Sequence, residues 1–323
     1  MTTSLDLPPA LGRAFRTTDA QALGVSRSRL RGRDLHTHFA GMRFREEFLD
    51  DALRIEDPFA RSLELQRLLS LAYSKRMPPN QFLVCDSAIA WYRGPLCDVL
   101  RADDPLPDIH VGVFGTDPIP RMVGVVGHRM NPATTTIRVV DGIAVASPAS
   151  AWASMGRQHS LRYLVALGDF FCRVWRTGFG RPNAGKPALA TREQLHAAID
   201  AGKRIGNPLL REAAPLVRED SWSIRESYLR FELVRAHLPE PALNHDVFDD
   251  IGRVLACVDL AYPDLKIAIE YHGLLHGSQY AADVERAAAL RAAGWIVIEV
   301  TAGLLQNPTA LVARVRAAIR QRR

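Results

Sequence analysis

The chain has few cysteines and almost no lysine. Its 323 residues include four cysteines, Cys85, Cys97, Cys172 and Cys257, scattered with no C-x-x-C pair. That scatter indicates neither a disulfide framework nor a zinc knuckle. No apolar run approaches the length of a membrane span, and no basic segment followed by an apolar core opens the sequence. A cytoplasmic protein with no membrane partner is expected. Internal repeats and low-complexity tracts are also absent. What is present describes an ordinary globular protein, 47% hydrophobic and 24% charged, long enough for two or three domains with cores of their own. The net charge of +6 is carried almost entirely by arginine, a residue that suits phosphate contacts.

Thr17 to Leu35 can be written as helix, turn, helix. Thr18 caps a short first helix, Gly24 makes the turn and Ser26 caps a second helix. That second helix would present Arg27, Arg29, Arg31 and Arg33 to phosphates or the major groove; the alternative is a surface helical pair with solvated arginines. His36 and His38 read as polar loop residues. Glu46, Glu47, Asp50 and Asp51 read as a solvated acidic face.

Pro58 to Tyr73 has the apolar spacing of a core helix, and Asn80 to Leu96 contains an Ala-rich helix with Trp91 and Tyr92, closing at Gly94-Pro95. Short strands are predicted at Ile109 to Phe114, Met122 to His128, Thr136 to Val140 and Ile143 to Ala146, with Asp141-Gly142 as a hairpin turn. Helices follow over Leu161 to Trp175 and Thr191 to Ala201. Between them, Thr177 to Pro187 is a Gly/Pro-rich loop whose Gly-Lys lacks the context of a phosphate loop. Asp86, His110, His128 and Asp169 stand as isolated polar residues with structural roles. A linker is placed between Pro208 and Ser221.

The remaining residues carry the chemistry. Ser223 to His237 repeats apolar residues at helical spacing. Two apolar runs, Val254 to Tyr262 and Lys266 to Tyr271, flank Pro263-Asp264, a turn-forming dipeptide. A tight turn there sets Asp259 directly across from Glu270. It also puts Val258, Leu260, Ile267, Ile269 and Tyr271 on one face and Asp259, Ala261, Ala268, Glu270 and His272 on the other. Opposed carboxylates repel unless a cation or proton lies between them, and within apolar runs an unpaired carboxylate is costly. Downstream, Ser278 to Ala293 reads as a helix stopped by Gly294, followed by a strand from Trp295 to Thr301 and a last helix from Pro308.

The pattern S-x-x-E-x-x-x-R, then D-L-A-Y-P-D-L-K-I-A-I-E-Y-x-G, x-x-H and D-x-x-R-x-x-x-L-R-A-A-G-W resembles the Vsr-like branch of the PD-(D/E)XK endonuclease superfamily. The front half is more loosely similar to AbiEi-type antitoxins and regulators. The resemblance implies an α+β and α/β chain of three parts. These are a winged-helix-like DNA-binding unit over 1–60, an AbiEi-like mixed α/β domain over 61–215 and a restriction-endonuclease-like domain over 216–323. The last would run helix, three-stranded antiparallel meander, helix, strand, helix. Carried over by position, Asp259 and Glu270 hold Mg²⁺ or Mn²⁺, Glu226 is the upstream helix acid, His276 follows the glycine turn and Asp283 is the downstream helix acid. DNA is the implied partner, with a toxin or defence-system protein as a second.

Two departures stand out. The superfamily lysine falls at position 272, where the Vsr-like branch carries aspartate, and this chain has His272. Lys266 lies six residues back, roughly 20 Å along the strand. Val258 stands where a proline usually precedes the first aspartate. Some site residues also have purely local readings. Ser223 and Glu226 have capping-box spacing, Asp283 and Arg286 can form an i,i+3 pair, and His276 can be a loop residue. Carboxylate oxygens suit Mg²⁺ or Mn²⁺, and histidine titrates in the range needed to take a proton from water. The expected function is therefore metal-dependent DNA hydrolysis. Its rival is a DNA-binding antitoxin or regulator whose nuclease-like domain is inactive.

Overall fold

Among the described residues, three β-sheets organise the chain. The computed structural model describes residues 6–97, 99–101, 104–178, 181, 183–272 and 280–323, with the side chains of 280–283 outside the description. The chain is a mixed α/β protein that divides into two compact units, Met1–His159 with Glu193–Leu210, and Ser160–Arg192 with Arg211–Arg323. This division differs from the three parts expected, because the Leu161–Cys172 helix groups with the C-terminal unit. It packs on the Ile224–Arg235 helix, where Arg230 meets Asp169 at 3.3 Å with both side chains almost fully buried. Asp169 thus has the structural role expected of it. Among the described residues no helix is long and apolar enough to cross a membrane.

In the first unit, β1 (Ala14–Arg16), β2 (Leu35–His36) and β3 (Met42–Arg45) form a small sheet in the order β1-β3-β2. The first helix is Thr17–Ala22, and Gly24 turns the chain at φ 84°. The second expected helix does not form. Only a 3-10 turn, Arg29–Arg31, stands there, with Ser26 Oγ accepting from Arg29 N at 3.1 Å. Arg29 is not presented outward but folds back onto Asp34 in a bidentate pair at 2.9 and 2.6 Å. Arg27, Arg31 and Arg33 are exposed. Thr18 is not a cap either, since the N-cap position falls on Arg16.

The second sheet runs β6-β5-β4-β8-β7, with β4 (Gln81–Leu83), β5 (Ile109–Phe114), β6 (Val125–Met130), β7 (Ile137–Val140) and β8 (Ile143–Ala146). Asp141 and Gly142 take φ 50° and 76°, the left-handed pair that a tight β7–β8 hairpin needs. The Pro58–Ser74 helix is as expected. Asp57 caps it through Ala60 N at 2.8 Å, and Leu65, Leu68, Leu69 and Ala72 are buried. The Ala-rich helix expected within Asn80 to Leu96 is Cys85–Trp91; β4 precedes it, and the chain turns sharply into it at Cys85 (φ 48°). β6 starts later than the apolar pattern suggests, because Gly124 (φ 80°) still belongs to the preceding turn.

In the second unit, β9 (Ala242–Phe248), β10 (Val254–Tyr262), β11 (Ile267–His272) and β12 (Ile296–Thr301) form a sheet in the order β12-β11-β10-β9. β9, β10 and β11 are successive antiparallel neighbours, while β12 lies parallel to β11. The Tyr280–Ala292 helix supplies the connection, and Gly294 turns at φ 81°. β10 and β11 pair Leu260 with Ile269, Ala261 with Ala268 and Tyr262 with Ile267 around a short Pro263–Leu265 turn. That is the register expected from the apolar alternation.

The faces are less regular. Leu260, Ile267, Ile269, Ile298 and Val300 pack with Leu229, Leu233, Leu311 and Val315 on one side of the sheet. Val258 does not join them but packs with Ala256, Ala261, Ala268, Leu290 and Trp295. The alternation expected across Val258 and Leu260 therefore breaks at Asp259. Its neighbour on β9 breaks with it: His245 pairs Val258 and Leu243 pairs Leu260, so Asn244 stands opposite Asp259, and Asn244 has φ 46°.

Candidate active site at the Asp259–Glu270 strand pair

The site begins where the regular pairing of β10 with β11 stops. The ladder ends at Leu260 and Ile269, so the next opposed residues are Asp259 and Glu270. Asp259 Oδ2 accepts the backbone N–H of Tyr271 at 2.8 Å, bonding the two strands through a side chain. Glu270 is only 4% exposed, and Arg286 on the Tyr280–Ala292 helix donates to its Oε2 at 3.3 Å. Glu226, on the opening turn of the Ile224–Arg235 helix, brings a third carboxylate to the same region.

Glu226 serves its helix and the site together. Ser223 Oγ accepts from Glu226 N at 3.1 Å, and Glu226 Oε2 accepts from Trp222 N at 2.8 Å, so the capping reading of this pair is real. The same Oε2 accepts from Asn244 Nδ2 at 2.9 Å. Asn244 also donates to Asp220 O at 2.6 Å, which fixes the amide against β10 at the point where the sheet changes face.

Charge accumulates here faster than it is neutralised. Burial, then the charge of Glu226 and that of Glu270, push the Asp259 carboxyl up to about 7, against the Tyr271 N–H and Arg286. Burial also raises Glu226, with the Trp222 N–H, Asn244, Ser223 and Arg173 opposing. A carboxyl so raised keeps its proton to higher pH than a free aspartate, and a cation beside it would offset the same repulsion.

Asp259 and Glu270 could hold a hydrated Mg²⁺ or Mn²⁺, since such ions take one or two carboxylates and keep several waters. His272 ends β11 opposite Thr301, and its Nε2 is buried with no hydrogen-bond partner among the described residues. Lys266 is anchored at the other end of the strand, where its Nζ donates to Ala293 O at 3.2 Å. His276 lies outside the described residues. Asp283 belongs to the Tyr280–Ala292 helix, and its side chain is outside the description.

Sequence reasoning missed Asn244 and, as a ligand of Glu270, Arg286. The D-x-x-R spacing was visible but pointed Arg286 at Asp283. It also took His110 and His128 as isolated, whereas His110 Nδ1 lies 2.8 Å from His128 Nε2 beside Cys85. Only alternate-residue spacing within each strand was available to suggest it. Compared with protein-family models, with curated proteins and with solved structures, the chain matches none.

Proposed function

We propose that the chain is a DNA-binding protein whose C-terminal unit hydrolyses phosphodiester bonds with the help of Mg²⁺ or Mn²⁺. The observation that carries this reading is the convergence of Asp259 with Glu270 and Glu226 at the end of the β10–β11 ladder, with Asp259 pushed up to about 7. When bound, the ion supplies positive charge to a phosphodiester and makes a nearby water more acidic. Asp259 and Glu270 hold it, and Glu226 adds negative potential that strengthens the hold. Arg286 keeps Glu270 oriented. His272 takes the proton of the attacking water at Nε2 and releases it to solvent. The water oxygen bonds to phosphorus as the bond to the leaving sugar oxygen breaks, and that oxygen takes up a proton from solvent to leave as a hydroxyl.

The small β1-β3-β2 sheet with its Thr17–Ala22 helix is read as a winged-helix-like DNA contact, with Arg27, Arg31 and Arg33 as phosphate ligands. The setting is DNA defence or repair in the cytoplasm, with a toxin or defence-system protein as a further partner. A second reading is favoured by position 272: with histidine there and Lys266 tied to Ala293, the unit binds DNA without cutting it, as a regulator or antitoxin does. Incubating the full chain with supercoiled, nicked and mismatched DNA in Mg²⁺, Mn²⁺ or EDTA separates the two. Metal-dependent product supports hydrolysis; salt-dependent binding with intact DNA supports the regulator.

A further inference from the structure

Cys85, His110 and His128 come from three separate parts of the first unit, yet one ligand atom of each lies within 4.8 Å of the others. β5 and β6 are parallel, with His110 facing Val126 and Gly112 facing His128, so the two histidines stand two positions apart on neighbouring strands. Their rings are stacked at 5.1 Å between centroids, and His110 Nδ1 is 2.8 Å from His128 Nε2. Cys85 reaches them from the end of β4, where Val84 N donates to His110 O at 3.1 Å.

Three features show that this meeting is built into the fold. Cys85 sits at φ 48°, a left-handed conformation that is costly for a side-chain-bearing residue and persists where the surroundings enforce it. The His110 backbone is fixed from beneath: Ser87 Oγ accepts its N–H at 2.8 Å, and Gln66 Nε2 donates to Ser87 Oγ at 2.9 Å and to Asp108 O at 3.0 Å. Gly112 faces His128 on the neighbouring strand, and a Cβ there would come within 2.7 Å of Val84 Cγ1 and 2.9 Å of Met130 Cγ, so this part of the sheet is packed too closely for a side chain. Cys85 is buried, while both histidines keep solvent contact through which an ion can arrive.

We propose that Cys85, His110 and His128 form a binding site for a soft or borderline transition-metal ion, with Zn²⁺ as the expected occupant. A thiolate with two imidazoles selects zinc, cobalt or copper over Mg²⁺ and Mn²⁺. Binding releases the Cys85 thiol proton to solvent and forms the metal–sulfur bond; the proton between His110 Nδ1 and His128 Nε2 moves, through solvent, to the other nitrogen of its own ring, and the two freed nitrogens bond the metal. Tetrahedral zinc sets its nitrogen ligands about 3.3 Å apart, so the rings need part only slightly. Three protein ligands leave one position for water or a further ligand. Burial pushes the uncomplexed thiol up to about 12 and His110 down to about 4. The imidazoles are therefore ready in their neutral, metal-binding form, while the thiol is no free nucleophile. This site is separate in sequence and in ligand chemistry from the carboxylates of β10 and β11.

Cobalt titration of the full chain under reducing conditions tests it. One equivalent of Co²⁺ should bring up a thiolate-to-cobalt charge-transfer band and the visible bands of a tetrahedral ion, both bleached by Zn²⁺ and untouched by excess Mg²⁺. Cys85→Ser should abolish the charge-transfer band, and His110→Ala should weaken Co²⁺ binding at least about tenfold. Should Cys85→Ser fail to fold, His128→Gln reads the same site from its solvent side with the thiol intact. Cys97→Ser, Cys257→Ser and Asp259→Ala should leave the spectrum unchanged. A band that survives Cys85→Ser, affinity unaltered in His128→Gln, or no thiolate band in the parent overturns the proposal.

Discussion

The backbone N–H of Tyr271 donates to Asp259 Oδ2 at 2.8 Å, so one oxygen of this carboxylate belongs to the sheet. A carboxylate held in this way cannot swing into solvent to escape its acidic neighbours. Its energy is then set by burial first, and by what else is brought to it: Glu226 and Glu270 against it, Arg286 for it. The behaviour of the second unit with pH and with metal follows from that constraint.

Asp259 therefore has an inverted linkage. A carboxyl raised from 3.8 to about 7 keeps its proton in the folded chain while the unfolded chain has already lost one. Its contribution is unpenalised below the ordinary carboxyl range, and stability falls as pH rises from there toward about 7. Asp259→Asn retains an acceptor for Tyr271 but cannot ionise. In EDTA its stability relative to the parent should rise across that window, by on the order of 2 kcal/mol at the plateau. Urea unfolding at acid and slightly alkaline pH measures this, and a constant difference between the two proteins contradicts it.

The two roles of Glu226 are separable. Ser223→Ala removes the cap oxygen that accepts from Glu226 N and should cost about 1 kcal/mol of stability with little change in Asp259. Glu226→Gln removes charge instead, and should bring the Asp259 titration, followed by carboxyl-carbon NMR, to lower pH. An unmoved titration shows that Glu226 exerts no field on Asp259.

Arg27, Arg31 and Arg33 are exposed, whereas Arg29 is held by Asp34. Replacing the three exposed arginines by alanine should weaken DNA binding and flatten its logarithmic salt slope by about 0.9 for each phosphate left without its arginine. Arg29→Ala should chiefly lower the melting temperature. Fluorescence anisotropy over a salt series decides, and an unchanged slope in the triple variant makes these arginines a solvated surface.

The β10–β11 register was legible because side chains alternate with period two and Pro263-Asp264 fixes the turn. What that pattern hid was the change of face at Asp259 and Asn244, since hydrophobicity cannot report a left-handed asparagine on the neighbouring strand. The expected helix over Arg27 to Arg33 failed for a related reason: the Arg29–Asp34 pair and the extended chain at Gly32 close a short turn that competes with helix propagation. Cys85, His110 and His128 were illegible as a group because only the β4-β5-β6 sheet order brings them together.

His272 tests the proton path. His272→Lys supplies a fixed positive charge with no proton acceptor near neutral pH, so cleavage should fall and its pH profile flatten. His272→Ala should lose at least about a hundredfold in rate, within the usual contribution of general acid–base catalysis. Rate–pH profiles of the three proteins in Mg²⁺ check both, and identical profiles remove His272 from the reaction.

The central claim is that Asp259 holds the cation on which cleavage depends. The most direct measurement is nicking of supercoiled plasmid by the parent and by Asp259→Ala in Mg²⁺, with EDTA as the blank. The parent should convert the plasmid to nicked or linear form only with metal, and the folded Asp259→Ala should leave it supercoiled. Undiminished conversion by Asp259→Ala, or conversion by the parent in EDTA, would contradict the account.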